Sequence, residues 1–452
     1  MTHPFDKFTD ATAMGEIFQA RLWPSAEAGP KVLGCEILFA HHKAYLGGAS
    51  RHRSYLALCY GLQVSDVGEP AGALMFHAKA YLGNRSCEEI AAVGADWYWP
   101  DLKLAVWRFP RDPKMPHLPL VIDPAAVREH LPYDALPAGY DISVAVARIR
   151  AEVIHYYPEE RCTCRYELES NSPGGSRPLS LYGKTFNQDR GESAYRNQLK
   201  LWRITQRQTR KFIVARPLGY SAKVKTLWLE PINGVPAVGF LKAAAGQGWL
   251  NATAEGLANL HRLAPIVMVQ HRRADQLQDL HSKSKKLLQA FPDLAALLTS
   301  LQRDLEGDAA NWTGTRQSFI HGDFHLRQLL VHGEQIAVLD FDECGAGDAL
   351  QDVASFLVDL YFYDLSADEA AGMGRQFLQA YQYAAEWEIP IKQLDWQVRL
   401  QFFTKAYRVY RQHQNGREEK IAALLSLAER GLAGAAAVRS VAPATGERSA
   451  RL

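Results

Sequence analysis

The chain has 452 residues, long enough for two or three hydrophobic cores rather than one. Its 47% hydrophobic and 22% charged content is that of a folded globular protein, and 51 basic against 49 acidic residues leave a net charge of +2. This balance gives no general field for nucleic acid, and no run of about 18 apolar residues offers a membrane span.

Six cysteines are scattered, with only Cys162 and Cys164 close, so a reduced, cytoplasmic protein without a structural zinc site is expected. The opening "MTHPFDKFTDATAMGEIF" lacks a basic segment followed by an apolar one, so no secretory signal is expected.

In chain order, "CEILFA", "SYLALCYGLQV" and "GEPAGALMFHAKAYLG" alternate as strands do, with Gly68 to Gly72 as a turn signal. Residues 89–133, Pro-rich around "RFPRDPKMPHLP", read as irregular. Strands return in "ISVAVARIRAEVIHYY", "CTCRYELES" and "LSLYGKTF", with "NSPGGSRP" as a hairpin turn before the last. The stretch "GESAYRNQLKLWRIT" keeps helical spacing through Tyr195, Leu199 and Trp202. A further strand pair, "FIVARPLGYS" and "KTLWLEPING", ends at Asn233-Gly234. Beyond it the periodicity is helical, interrupted by one β-like island, "QSFIHGDFHLRQLLVHGEQIAVLDFDE". The Ala/Gly/Ser-rich tail after about residue 433 is expected to fray.

The pattern predicts an α+β protein of two lobes preceded by a cap. The expected boundaries are a cap over 1–140, a β-rich lobe over 141–233, a helical lobe over 234–432 and a tail over 433–452. Lys79 in "FHAKAYLG" and Lys184 in "LYGKTF" each close a strand after a Gly/Pro turn, which raises a duplicated half-lobe as the origin of the cap.

The chemistry concentrates in the island. His321-Gly322-Asp323 is followed five residues on by Gln328, and Asp340 follows Asp323 by seventeen. Two carboxylates with an amide oxygen between them suit a hard cation such as Mg²⁺, which takes oxygen ligands. The order is a lysine strand (Lys184), a helix opening with an acid (Glu192), an aspartate loop (Asp323, Gln328) and a second aspartate (Asp340). This is the order that kinases use to position a nucleotide and deprotonate a hydroxyl.

At these residues the chain resembles the aminoglycoside phosphotransferase and choline kinase family. "HGDFHLRQLL…VLDFDECGAGDALQDVASFL" is similar to that family's "HGDxHxxN…IDFDxxxxGxxxxDxA" pattern, and "HLxQ" in place of "HPxN" resembles bacterial maltokinases, which also carry a cap. The resemblance implies a two-lobed protein-kinase-like fold and transfer of the ATP γ-phosphoryl group to a hydroxyl of a small molecule, with Mg²⁺. It implies Asp323 as base and Gln328 and Asp340 as magnesium ligands. Lys184 would meet the nucleotide phosphates, oriented by Glu192. Glu230 to Gly234, with Glu230 and Ile232, would be the adenine-reading hinge. His321, His325 and Asp352 would support the loop. Arg161, in "HYYPEERC", occupies the place of the phosphate loop. The sequence departs from the pattern in Gln328 and in having no Gly-rich motif before the lysine strand.

Two other readings remain open at this stage. One is a kinase-like protein that binds a nucleotide or metabolite without catalysis. The other is a metal-dependent hydrolase centred on His321, Asp323 and His325, whose residue types suit a transition metal. Lys79 is the rival nucleotide lysine. The partner expected throughout is a small hydroxylated acceptor, with neither nucleic acid nor membrane.

Overall fold

The computed structural model describes residues 3–435, except 25–28, 46–52, 67–68, 84–86, 137–145, 171–177, 208–210, 243–247, 265–268, 313–315 and 414–415. The chain opens with a single helical turn, Asp6–Thr9, and helix α1 (Ala11–Leu22). Asp10 caps α1 by accepting the Ala13 N–H at 3.1 Å, as short polar residues do at helix starts. Met14 and Phe18 on α1 are fully buried and pack with Leu56, Leu58, Tyr60, Phe76 and Trp99.

Those residues belong to a first antiparallel sheet. Its strands are β1 (Lys31–Lys43), β2 (Tyr55–Asp66), β3 (Glu69–Tyr81), β4 (Trp97–Trp99) and β5 (Leu104–Arg108), in the order β1-β2-β3-β5-β4. Helix α2 (Cys87–Ala92) lies between β3 and β4, and short helices α3 (Leu118–Ile122) and α4 (Pro124–Val127) lead out of the cap. The second sheet comprises β6 (Val146–Tyr157), β7 (Arg161–Ser170), β8 (Leu179–Phe186), β10 (Pro217–Ser221) and β11 (Thr226–Leu229), in the order β10-β11-β8-β7-β6. Helix α5 (Arg190–Arg207) follows β8 as α2 follows β3. The two sheets therefore share one strand order. Lys79 and Lys184 each stand third from the end of the third strand, opposite Ala57 and Thr163 respectively.

The helical lobe carries two small sheets. One is ordered β12 (Val235–Pro236), β15 (Leu329–His332), β16 (Gln335–Val338), β9 (Phe212–Ile213). The other is ordered β13 (Gln270–His271), β17 (Gly345–Asp348), β14 (Gln317–Ile320). Around them pack α6 (Gly248–His261), α7 (Arg273–Ala290), α8 (Ala295–Ala310), α9 (Ala349–Asp359), α10 (Ala367–Ala385), α11 (Ile391–Gln412) and α12 (Arg417–Ala435). Their shared core includes Leu257, Phe319, Phe324, Phe356, Phe377, Trp396 and Phe402. None of the helices among the described residues is long and apolar enough to cross a membrane.

Several sequence expectations shift. Strands β4 and β5 fall inside 89–133, which read as irregular. "LAVW" in β5 is buried on both faces, so the alternation that marks a half-buried strand is missing. Strand β3 already starts at Glu69, so Glu69 to Gly72, read as part of a turn signal, are strand, and Gly68 lies outside the described residues. The "NSPGGSRP" turn lies mostly outside them too. Strand β9 pairs in parallel with β16 and so belongs to the helical lobe, although the boundary at 233 put it in the β-rich one. Helix α12 runs past 432 to Ala435, and the rest of the tail lies outside the described residues. Cys162 and Cys164 are buried in β7 as unbridged thiols, their sulfurs 3.8 Å apart.

Candidate active site

Strand β14 buries Ser318, Phe319 and Ile320, and it delivers the chain to the loop His321–Gln328. The loop is held from beneath by a fully buried carboxylate. Asp352, in the first turn of α9, accepts the His321 N–H at 2.6 Å and the Gly322 N–H at 2.9 Å. His261 on α6 lies 3.1 Å from the same carboxylate through Nε2 and 2.7 Å from the Tyr381 hydroxyl through Nδ1. Burial alone would raise the Asp352 pKa, but the His261 contact and the loop amides hold it below the usual carboxylate value. Gly322 has a φ of +88°, and a Cβ there would stand 2.3 Å from the Glu343 carbonyl oxygen, so this position needs glycine.

His321 ties the loop to the next acid-bearing segment. Its Nε2 lies 2.8 Å from the Leu339 carbonyl oxygen, and its Nδ1 accepts the Asp323 N–H at 3.3 Å, the pattern of a ring carrying its hydrogen on Nε2. A second buried aspartate, Asp359 on α9, accepts the Leu326 N–H at 3.0 Å and pairs with Lys405 of α11 at 3.0 Å. The Asp323 carboxylate itself stands at the mouth, 53% exposed, 3.4 Å from His325 Nε2. Burial of the site works to raise its pKa, yet the His325 contact and the charge of Arg408 bring it down to about 2.

Strands β15 and β16 set Gln328 beside Asp340, since the Leu339 N–H donates to the Gln328 carbonyl at 2.8 Å. Asp340 adopts a left-handed backbone, φ 61° and ψ 70°, a conformation that costs free energy for a side-chain-bearing residue and gathers at functional positions. Across the gap between lobes, Lys184 on β8 places Nζ 2.7 Å from Asp340 Oδ1 and 2.7 Å from Asp342 Oδ2. Arg161, first residue of β7, lies 3.6 Å from Asp340 and 3.3 Å from Asp342. Two carboxylates thus share two cations. Although burial opposes it, Lys184 and Arg161 hold Asp340 well below the usual carboxylate range. Asp342 is pushed up, by burial first and then by the charge of Asp340.

The turn before Arg161 is fixed by the cap. Glu159, 1% exposed and at φ 67°, forms an ion pair with Lys79 of β3 and accepts the Tyr55 hydroxyl at 2.8 Å. Asp112 accepts the Glu159 N–H at 2.8 Å and the Tyr156 hydroxyl at 2.6 Å, and Lys43 pairs with Glu160 at 2.6 Å. Lys79, the rival nucleotide lysine, is therefore engaged between the cap and this turn.

The structure brings Lys184, Asp340, Gln328, Asp323, His321, His325 and Asp352 around one cleft. Glu192 does not join them. It sits on the solvent face of the first turn of α5 and pairs with Arg196 one turn later, so the expectation that it orients Lys184 is corrected, and Asp340 and Asp342 hold that lysine instead. Glu230 and Ile232 lie on the connection between lobes, where the Glu230 N–H donates to the Arg216 carbonyl at 2.9 Å. His321, Asp323 and His325 do not assemble a ligand set, because both His321 ring nitrogens are engaged with backbone groups. For a divalent cation, the donors at hand are the oxygens of Gln328, Asp340 and Asp342, a set that fits a hard ion. Sequence reading missed Asp359 and His261. The signal for Asp359 was an acid inside the apolar run "SFLVDL", where a buried charge must have a partner.

Residues 203–388 match the phosphotransferase enzyme family. The match covers less than half of the chain. The matched segment contains Asp323, Gln328, Asp340 and Asp352, while Arg161 and Lys184 precede it and meet Asp340 across the gap between lobes. No curated protein sequence matches the chain. Among solved structures, it is similar to the amicoumacin kinase hAmiN in complex with AMP-PNP, Ca²⁺ and Ami, at 14% identity over 62% of this chain and 89% of that one, TM-score 0.42. It is also similar to a choline kinase from Cryptosporidium parvum Iowa II, at 12% identity over 68% and 96%, TM-score 0.46. A thermostable mutant of the aminoglycoside phosphotransferase APH(4)-Ia aligns at 13% identity over 64% and 97%, TM-score 0.46.

Proposed function

We propose that the protein is an ATP-dependent phosphotransferase that moves the γ-phosphoryl group to a hydroxyl of a small molecule, a sugar, an aminoglycoside or a similar compound. The reading is carried by the meeting of Lys184 from the β-rich lobe with Asp340 and Asp342 from the helical lobe, 2.7 Å from each, beside an ionised, half-exposed Asp323. Asp323 takes the acceptor's hydroxyl proton as the acceptor oxygen bonds to the γ-phosphorus. The bond from that phosphorus to the β–γ bridging oxygen breaks, and ADP leaves. Arg161 and Lys184 bind the phosphates and neutralise charge that spreads over them. Gln328 and Asp340, with Asp342, would hold Mg²⁺, which when bound adds positive charge to the transferred group. Glu230 and Ile232 would border the adenine.

The test is a thermal-shift titration with ATP and GTP, each with and without Mg²⁺, on wild type and Asp340→Ala. A ligand of the folded state at about 100 times its dissociation constant adds roughly 2.7 kcal/mol. A magnesium-dependent rise lost in the variant is the expected result, followed by multi-turnover ADP formation with hydroxylated acceptors. No rise with either nucleotide would overturn the nucleotide site, and binding without turnover would make the chain a sensor rather than an enzyme.

A further inference from the structure

A second polar cluster lies away from the phosphotransfer cleft, where the start of the chain meets the end of α11. One ring nitrogen of His3, one carboxylate oxygen of Asp6 and one ring nitrogen of His413 lie within 4.8 Å of one another. His413 follows the last turn of α11 in a left-handed conformation, φ 52°, and its ring is 1% exposed. The His42 ring, on β1 and 5% exposed, stands beside them, with centroids 5.5 Å from His3 and 5.7 Å from His413.

The hydrogen-bond pattern leaves this cluster incomplete. Both ring nitrogens of His42 and Nδ1 of His413 are buried without a partner among the described residues. Buried polar atoms are nearly always satisfied, so three in one cluster call for an additional group. Phe5 and Tyr410 wall the space with their rings, 5.3 Å and 5.4 Å from His42, so neither offers those nitrogens a hydrogen-bonding atom of the ring. The carboxylate is already aimed: Asp6 accepts the His3 backbone N–H at 2.6 Å and the Arg417 guanidinium at 2.9 Å, and its Oδ1 lies 3.1 Å from His413 Nε2. Such outer partners are how proteins orient a ligating carboxylate. Burial, with the charges of Arg417 and neighbouring rings, pushes His42 down to about 3 and His413 down to about 2.

We propose that His3, Asp6 and His413, with His42 as the fourth donor, form a binding site for a zinc-type transition-metal ion that staples the start of the chain to α11. Imidazole nitrogens with one carboxylate are a borderline-soft set suited to Zn²⁺ or Co²⁺ and unsuited to Mg²⁺. Ligands of a tetrahedral ion at about 2.0–2.1 Å stand about 3.4 Å apart, so the donors of His3, Asp6 and His413 close by up to about 1.4 Å on binding, and His42, which stands outside that 4.8 Å set, moves further. The site is structural rather than catalytic, because four protein donors leave no open position. It also touches the function, since α11 carries Lys405, which pairs with Asp359 beneath the Asp323 loop.

The full-length protein is treated with chelator, dialysed, and titrated with zinc sulfate and separately with cobalt chloride. Bound metal, the visible spectrum of cobalt and the melting temperature are read on wild type, His3→Ala, Asp6→Asn and Asp340→Asn. One equivalent per chain, a tetrahedral cobalt spectrum and a raised melting temperature are expected in wild type and Asp340→Asn. In His3→Ala, whose ring is only partly buried, the dissociation constant should rise at least about tenfold while the far-UV spectrum is unchanged. Asp6→Asn should weaken binding in the same direction. No cobalt spectrum in wild type overturns the proposal. So does equal binding in both ligand variants, and so does loss of binding in Asp340→Asn, which would place the ion at the phosphotransfer acids.

Discussion

Lys184 reaches from one lobe to Asp340 in the other, Nζ to Oδ1 at 2.7 Å, and the same nitrogen also meets Asp342 at 2.7 Å. The lysine that would bind nucleotide phosphate is therefore also the counter-ion of the acids that would bind a cation. Replacing it with methionine removes a charge-assisted contact worth about 1.5–3 kcal/mol, so Lys184→Met should weaken ATP binding by roughly 10- to 100-fold. Calorimetric titration with Mg²⁺-ATP measures it. ATP affinity equal to wild type would remove Lys184 from the nucleotide site.

Asp323→Asn tests the base. Its neutral amide cannot take the hydroxyl proton, so kcat should fall by about 10²–10⁴ while the ATP dissociation constant moves by no more than about twofold. The Asp323 carboxyl sits at about 2, below its ordinary value, so it is ionised throughout the neutral range and its protonation causes no loss of activity above about pH 4. A pH–rate profile of kcat/KM in single-turnover conditions reads this. An acid limb above pH 5 that vanishes in Asp323→Asn would contradict the depressed value.

Asp352→Ala should be the most damaging change near the loop. The carboxylate satisfies two backbone N–H groups and His261 in full burial. Breaking such a buried arrangement from one side costs about 3–5 kcal/mol. The folded-state pKa of Asp352 lies below its unfolded value near 3.9. Its contribution is therefore present above that value and lost as pH falls below it. Urea melts at pH 7 and pH 3 should show a large gap between wild type and variant at pH 7 that narrows at pH 3. A gap of equal size at both would mean that packing, not charge, is what the variant removes.

The grouping of the loop residues was legible because it is local: His321, Asp323, Gln328 and Asp340 lie within twenty residues, and strand signals on either side fix their approach. Lys184 was legible from its strand, since alternation placed it and β8 delivered it. Glu192 was not, because its distance in sequence from Lys184 says nothing about the rotation of α5, and that rotation turns it to Arg196. Strands β4 and β5 escaped because burial on both faces erases alternation. Asp359 and His261 satisfy groups that only tertiary packing brings near. The meeting of His3, Asp6, His42 and His413 joins segments hundreds of residues apart, which no local pattern records.

The pair Lys79–Glu159 gives the last test, because it links the cap to Arg161 without touching the cleft. Among the described residues, Lys79→Met leaves Glu159 buried with only Lys114, 3.4 Å away and half exposed, as its cation. One-sided loss of a buried partner costs about 3–5 kcal/mol. Glu159→Gln in the same chain removes the stranded charge and keeps an acceptor for the Tyr55 hydroxyl, so the double variant should recover about 2 kcal/mol of that loss. The turn that carries Glu159 precedes Arg161 by two residues, so ATP affinity should fall in Lys79→Met and return toward wild type in the double variant. Urea melts and ATP titrations on the three variants complete the cycle. If Lys79→Met binds ATP as wild type does while losing stability, the cap braces the fold alone and the position of Arg161 is set within β7.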